Sequence, residues 1–205
     1  MRSIHKIMLI CSSAVVLLAM TTGVCWGWLF DGGVPQHAGA VVQEGTSLGW
    51  AAAIFRVESD SYGTEFGLAV SRAAGPADAG FTVYLVGSLV DVENNAIASW
   101  TITPASPVLD YYFNYEGDPV FLQAGVGYAL VAVPNHPDFI GAISYSPQGY
   151  YGWGSGDYGE SWYMLPLPLS VRVDGYAVPE PGCAAVWLLG CAGLVRGRMR
   201  RVFRA

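Results

Sequence analysis

Lysine occurs once in this chain, at Lys6, and histidine only three times. Basic residues are held at the two ends: Arg2 and Lys6 at the start, then Arg196, Arg198, Arg200, Arg201 and Arg204 at the finish, with Arg56, Arg72 and Arg172 alone between them. All sixteen acids lie between Asp31 and Glu180, so three arginines there face sixteen carboxylates, a formal −13 behind an overall −6. Such a surface excludes nucleic acid as a partner, because that affinity rests on Lys and Arg neutralising phosphates. Cysteine is missing from the middle as well, since Cys11, Cys25, Cys183 and Cys191 all lie near the ends. A thiol enzyme or a Cys-ligated metal centre is thereby excluded, and a domain of this size does not need disulfides. No interior stretch approaches the ~20 apolar residues of a spanning helix, which excludes a polytopic membrane protein. Charge is low at 13% and the apolar fraction is 53%, the reverse of a disordered chain.

What is present in the middle is the composition of strands. Runs rich in Val, Ile, Thr, Tyr, Phe and Trp, bounded by Gly, Pro, Asn or Asp, predict strands over 38–43, 50–57, 65–71, 81–86, 97–103, 109–115, 128–133, 139–145 and 169–176. No window holds a capped 3.6-residue period. In Phe81-Thr82-Val83-Tyr84-Leu85 every second residue is apolar, so one face is expected in the core and the other in water. The expected fold is all-β, an antiparallel β-sandwich of jelly-roll-like form over residues 28–177. Residues 148–163 hold five glycines and six aromatics and read as one long irregular loop.

The two ends read as addresses. Arg2 and Lys6 precede the apolar run Ile7 to Met20, and small residues follow, the order of a secretory signal peptide over 1–27 with cleavage after Gly27. At the other end stand Val178, Pro179, Glu180 and Pro181, then an apolar transmembrane stretch over 182–195, then an Arg-rich tail over 196–205. Pro179 and Pro181 cannot join a ladder or a helix interior and so make an extended spacer. The arginines beyond the stretch stay in the cytoplasm, which puts the domain before it outside.

This tripartite end, residues 178–205, resembles the PEP-CTERM sorting signal of Gram-negative bacteria. The resemblance implies processing by an exosortase, an integral-membrane cysteine peptidase. It also implies an inner-membrane precursor held by its C-terminal helix, and then release or anchoring at the cell surface or in the matrix, usually beside exopolysaccharide export. The stretch departs from the pattern in being short and in carrying Cys183 and Cys191. The middle is similar to the choice-of-anchor domains that precede such tails, in Gly80 to Leu85, Leu122 to Leu130 and Ser155 to Trp162. That likeness implies a β-sandwich without an assigned activity and carries over no catalytic residue.

Chemistry-bearing patterns are few. Gly154-Ser155-Gly156-Asp157-Tyr158-Gly159 satisfies G-x-G-x-x-G, but Pro166 and Pro168 follow in place of a helix, so it reads as a glycine-rich loop and not a dinucleotide site. Glu58 to Gly63 opens like a calcium loop, yet Tyr62 and Ala69 stand where ligands are required. His136 has no nucleophile-elbow serine to serve. Neither a catalytic residue, a metal site nor a cofactor is expected. Twenty-seven aromatic residues exceed the needs of one sandwich core. Trp50, Phe81, Trp100, Phe113 and Phe121 are expected inside. Tyr151, Trp153, Tyr158 and Trp162 are the candidate glycan contacts, because flat faces with polar tips stack on sugar rings.

Two functions from different classes fit. The first is a non-enzymatic structural or adhesive surface protein tied to exopolysaccharide or biofilm, and the second is a lectin-like or glycan-active jelly-roll enzyme. Two carboxylates converging in an aromatic cleft would favour the second. Because residues 28–177 lack cysteine, that segment is expected to fold in the presence of reductant with a β-type circular dichroism spectrum and little helix, and a helical spectrum would refute the all-β reading.

Overall fold

The computed structural model describes residues 26–178 apart from 36, 106, 149 and 150. The expected signal peptide up to 25, and the Pro-Glu-Pro motif, apolar stretch and arginine tail from 179 on, lie outside the described residues. Within 26–177 the chain is all-β, with two antiparallel sheets and no helix among the described residues. No helix there is long and apolar enough to cross a membrane.

The first sheet is built on β4 (Ser61–Ala74), which uses both of its edges. Along one edge it pairs with β13 (Val171–Ala177) and then β10 (Ile140–Tyr145), and on the other with β8 (Val120–Leu122) and β7 (Asp110–Tyr112). Beyond β13 lies β1 (Trp26–Asp31), and beyond β10 lies β2 (His37–Gln43). The second sheet runs β12 (Tyr163–Pro168), β11 (Tyr151–Ser155), β3 (Trp50–Arg56), β9 (Gly127–Pro134), β5 (Phe81–Val86), β6 (Ala96–Ile102).

One core joins the inner faces of the two sheets. Phe66, Leu68, Val171 and Ile143 from the first meet Phe55, Val83, Leu130 and Ile102 from the second, all with no more than traces of exposure. Each such side chain contributes about 1.5–3 kcal/mol by leaving water. A Cβ at Gly141 would run into Phe81 in this core, and on the outer face of the first sheet one at Gly67 would run into Phe113. Phe81 meets Phe139 edge-on at 4.9 Å.

All nine expected strands are found, most within a residue or two, and four more exist. Residues 148–163 are not one irregular loop: Tyr151–Ser155 is a strand that pairs with β3, and Tyr163 begins its hairpin partner. Five small or aromatic residues alternating in Tyr151-Gly152-Trp153-Gly154-Ser155 disguise a strand whose inward positions must be small, since a Cβ at Gly152 would meet Leu169 at 2.6 Å. β12 carries Pro166 and Pro168, which an edge strand tolerates. Of the expected core aromatics, Trp50, Phe81 and Trp100 are buried, but Phe113 is half-buried and Phe121 is 49% exposed, stacked edge-on to Tyr62 at 5.5 Å.

The outer face of the first sheet is tied by Arg172. Its guanidinium lies 4.4 Å from the Tyr111 ring and 5.2 Å from that of Trp28, and its Nε donates to Asp31 at 2.7 Å. Burial pushes the Asp31 carboxyl up, but the Gly33 amide and Arg172 outweigh it and hold it below its ordinary value. These contacts connect β1, β13 and β7. Replacing Arg172 by Ala is expected to cost about 1–2 kcal/mol, a fall of roughly 2–8 °C in Tm. Arg172→Lys should recover only part of it, because an ammonium does not stack as a guanidinium does. An unchanged Tm in calorimetry would show that the stack contributes nothing.

Candidate functional site

Two connections meet over the outer face of the second sheet, one leaving beside the start of β3, where Ser155 pairs with Trp50, and the other from the opposite end, where Val86 pairs with Ala129. Residues 87–95 link β5 to β6, and residues 156–162 link β11 to β12. That face is apolar, formed by Trp50, Ala52, Val86, Ala129 and Val131, and Val92 and Trp162 from the two connections pack onto it. A cleft of about 520 Å³ remains between them.

The 156–162 connection is folded around one carboxylate. Asp157 Oδ1 accepts from the Ser155 hydroxyl at 2.7 Å and from the Ser161 amide at 2.9 Å, and its Oδ2 accepts from the Ser161 hydroxyl. The Ser155 oxygen in turn accepts from the Gly159 amide at 2.9 Å. Held by the Ser161 hydroxyl and amide and by the Ser155 hydroxyl, Asp157 is lowered to about 2. Both of its oxygens are thus engaged within the turn.

This clamp bends the chain through two successive left-handed residues, Tyr158 at φ 57° and Gly159 at φ 83°. Glycine is required at the second, because a Cβ there would sit 2.7 Å from the Trp50 ring. The Gly159 carbonyl accepts from Trp162 Nε1 at 3.1 Å, and the Trp162 ring lies 6.5 Å from that of Trp50 at an interplanar angle of 58°. Tyr158 is turned outward and is 60% exposed.

The facing connection has its own left-handed residue, Asp91 at φ 50°. Asn94 Nδ2 donates to the Asp91 carboxylate at 2.9 Å, and Asn95 Nδ2 donates to the Val90 carbonyl at 2.9 Å. Among the described residues Asp91 and Tyr158 are the two non-glycine positions with left-handed backbone, and both line the cleft. Strain of about 1–3 kcal/mol at such positions is concentrated in proteins at ligand clamps and active sites. Glu93 and Glu160 complete the wall, both exposed. Burial, and after it the Glu93 charge, push the nearby Tyr84 phenol up.

The four candidate glycan contacts therefore divide. Tyr158 and Trp162 line the cleft; Trp153 is half-buried against the apolar face from β11; Tyr151 is 59% exposed at the start of that strand, outside the cleft. Tyr150 lies outside the described residues. The structure adds Trp50, which the sequence placed only in the core, and Asp91 and Glu93, for which the sequence suggested no role. The available signal was Leu89, Val90 and Val92, apolar residues too many for a solvated hairpin. The G-x-G-x-x-G residues lie at the turn between β11 and β12, with a strand following. Asp60, in the calcium-like segment, accepts from the Ala124 amide at 2.8 Å. Among the described residues no three His, Cys, Asp or Glu side chains gather as a metal site. His136 accepts from the Asp138 amide at 3.1 Å within its own turn. Comparison of the chain with protein-family models, curated proteins and solved structures finds no match.

The Asp157 clamp has a pH signature. Its folded value of about 2 lies below the ordinary 3.8, so its contribution to stability is complete above about pH 4 and is lost as pH falls through 2. Hydrogen exchange at the Gly159 and Ser161 amides is expected to accelerate over that window, and Asp157→Ala should reproduce the acceleration at neutral pH. Exchange in the variant equal to that of the parent would show that another contact holds the turn.

Proposed function

We propose that this chain is an exported surface or matrix protein, sorted by an exosortase-type membrane peptidase and acting without catalysis as an adhesive module on extracellular polysaccharide. The observation that carries the sorting reading is the fixed order of Val178-Pro179-Glu180-Pro181, apolar 182–195 and arginines 196–204 behind a secretory signal over 1–27. In this reading the 182–195 stretch forms the single transmembrane helix of an inner-membrane precursor, and the described unit lies outside. A cut after Gly27 trims two residues of β1 and retains Trp28 and its stack with Arg172. A jelly-roll-like winding is supported by chain connections that pass repeatedly between the sheets, from β2 through β5 and again from β8 through β11.

The adhesive role is supported by the cleft, where the rings of Tyr158 and Trp162 stand beside Glu93 and Glu160. The same juxtaposition favours a second reading, a glycan-active enzyme, because glycoside hydrolysis needs two carboxylates. Polysaccharide cleavage abolished by Glu93→Gln or Glu160→Gln would establish it. For the sorting reading, changing Pro179, Glu180 and Pro181 together to Ala in a host with the sorting peptidase is expected to leave uncleaved precursor in the inner membrane. Normal surface delivery of that variant, followed by fractionation and mass of the mature chain, would overturn it.

A further inference from the structure

We infer that the cleft between residues 87–95 and 156–162 takes a protonated amino-sugar unit of a polysaccharide, its ring against Tyr158 and Trp162 and its ammonium among Asp91, Glu93 and Glu160. The inference rests on the adhesive reading and names the class of glycan. The cleft, at about 520 Å³, falls within the ~300–1,000 Å³ of small-ligand sites. Its lining combines aromatic faces with three carboxylates, and none of its lining residues is Lys, Arg or His.

Charge decides among glycans. The described unit has three arginines, and none lines the cleft: Arg172 is committed to Asp31 and two rings, Arg72 donates to the Ala77 and Ala79 carbonyls, and Arg56 lines a separate hollow beside Glu58. Asp91, Glu93 and Glu160 have no ion-pair partner in the described residues. They stand exposed to solvent, so a cationic ligand meets no internal competitor for them. A uronic-acid polymer meets three like charges, and a neutral polymer offers the carboxylates hydroxyl donors but no opposite charge. An ammonium gains twice, through charge-assisted hydrogen bonds to carboxylates and through attraction to the Trp and Tyr faces. The site is also formed in advance: Asp157 fixes Tyr158, and Asn94 holds the Asp91 carboxylate, so little ordering is required on binding.

The test uses the full-length chain in detergent with four probes: a soluble glucosamine oligomer, the same oligomer N-acetylated, an oligouronate and polylysine. The glucosamine oligomer is expected to bind at least about tenfold more tightly than each of the others, and Glu93→Gln with Glu160→Gln should remove most of that preference. Trp162→Ala should weaken binding by a similar factor. Because Trp162 also packs the turn, Tyr158→Gly is the second variant: it removes the outward ring and relieves the left-handed strain, so binding should fall while Tm does not. Equal binding of the acetylated oligomer would refute the amine and leave carbohydrate adhesion standing. Equal binding of polylysine would reduce the site to general charge, and binding of none would remove the adhesive reading with it.

Discussion

An antiparallel sheet usually turns one face to water, but the second sheet of this protein is apolar on both. Ala51, Ala53 and Phe55 of β3 point into the main core, while Trp50, Ala52 and Ile54 of the same strand point the other way. Strand β9 repeats the arrangement, with Leu130 and Ala132 inward and Ala129 and Val131 outward. Apolar surface left in water costs ~25 cal/mol per Å², so that face has to be covered. Two connections from opposite ends of the sheet supply the cover, one through Val92 and Leu89, the other through Trp162. The cleft follows from that arrangement, as the gap between two covers that descend from different edges of the sheet.

The same constraint explains why the candidate site is aromatic below and acidic above. The groups that touch the sheet must be apolar, whereas the connections themselves run through solvent and draw on a sequence in which acids outnumber arginines sixteen to three over the middle. Each arginine that exists serves the scaffold or lies elsewhere, Arg172 between β1 and β7 and Arg72 at the turn before Ala79. With no lysine in the middle, the cleft carboxylates Asp91, Glu93 and Glu160 have no basic partner among the described residues. Mutual repulsion keeps them solvated and spaced, and it also makes the surface receptive to external cations.

Strand existence was legible because β-branched and aromatic runs bounded by turn residues have one period, and β5 matched its expected limits, Phe81 to Val86. The double burial of the sheet was less so, although Trp50-Ala51-Ala52-Ala53-Ile54-Phe55 is a continuous apolar run of the kind that two-faced burial produces. By contrast, the alternation in β5 suggested a wet face, and Thr82 and Tyr84 prove half-buried, since Tyr84 extends the outer apolar face toward Glu93. Strand β11 escaped notice because its inward positions are glycines, Gly152 leaving room for the Leu169 side chain and Gly154 for that of Leu48. Half of the candidate site was readable from aromatic density at 158–162. The other half, at 91–93, was not, because its partner is more than sixty residues away in sequence and only the fold brings it near.

Pre-formed geometry is what distinguishes this cleft from an incidental gap. Loops that merely cover a face have no need of strained backbone, yet each of the two covers places a non-glycine residue in the left-handed region, and each then spends side-chain hydrogen bonds to hold it there. For Asp91 the cost is small, since Asp tolerates that conformation through local hydrogen bonding. For Tyr158 it is not, since a bulky side chain at positive φ is a genuine outlier. A glycine at that position would make the same turn without strain. The tyrosine is therefore justified by its exposed ring rather than by the fold, and the ring stands at the mouth of a cleft whose floor is two tryptophans and whose rim is negative.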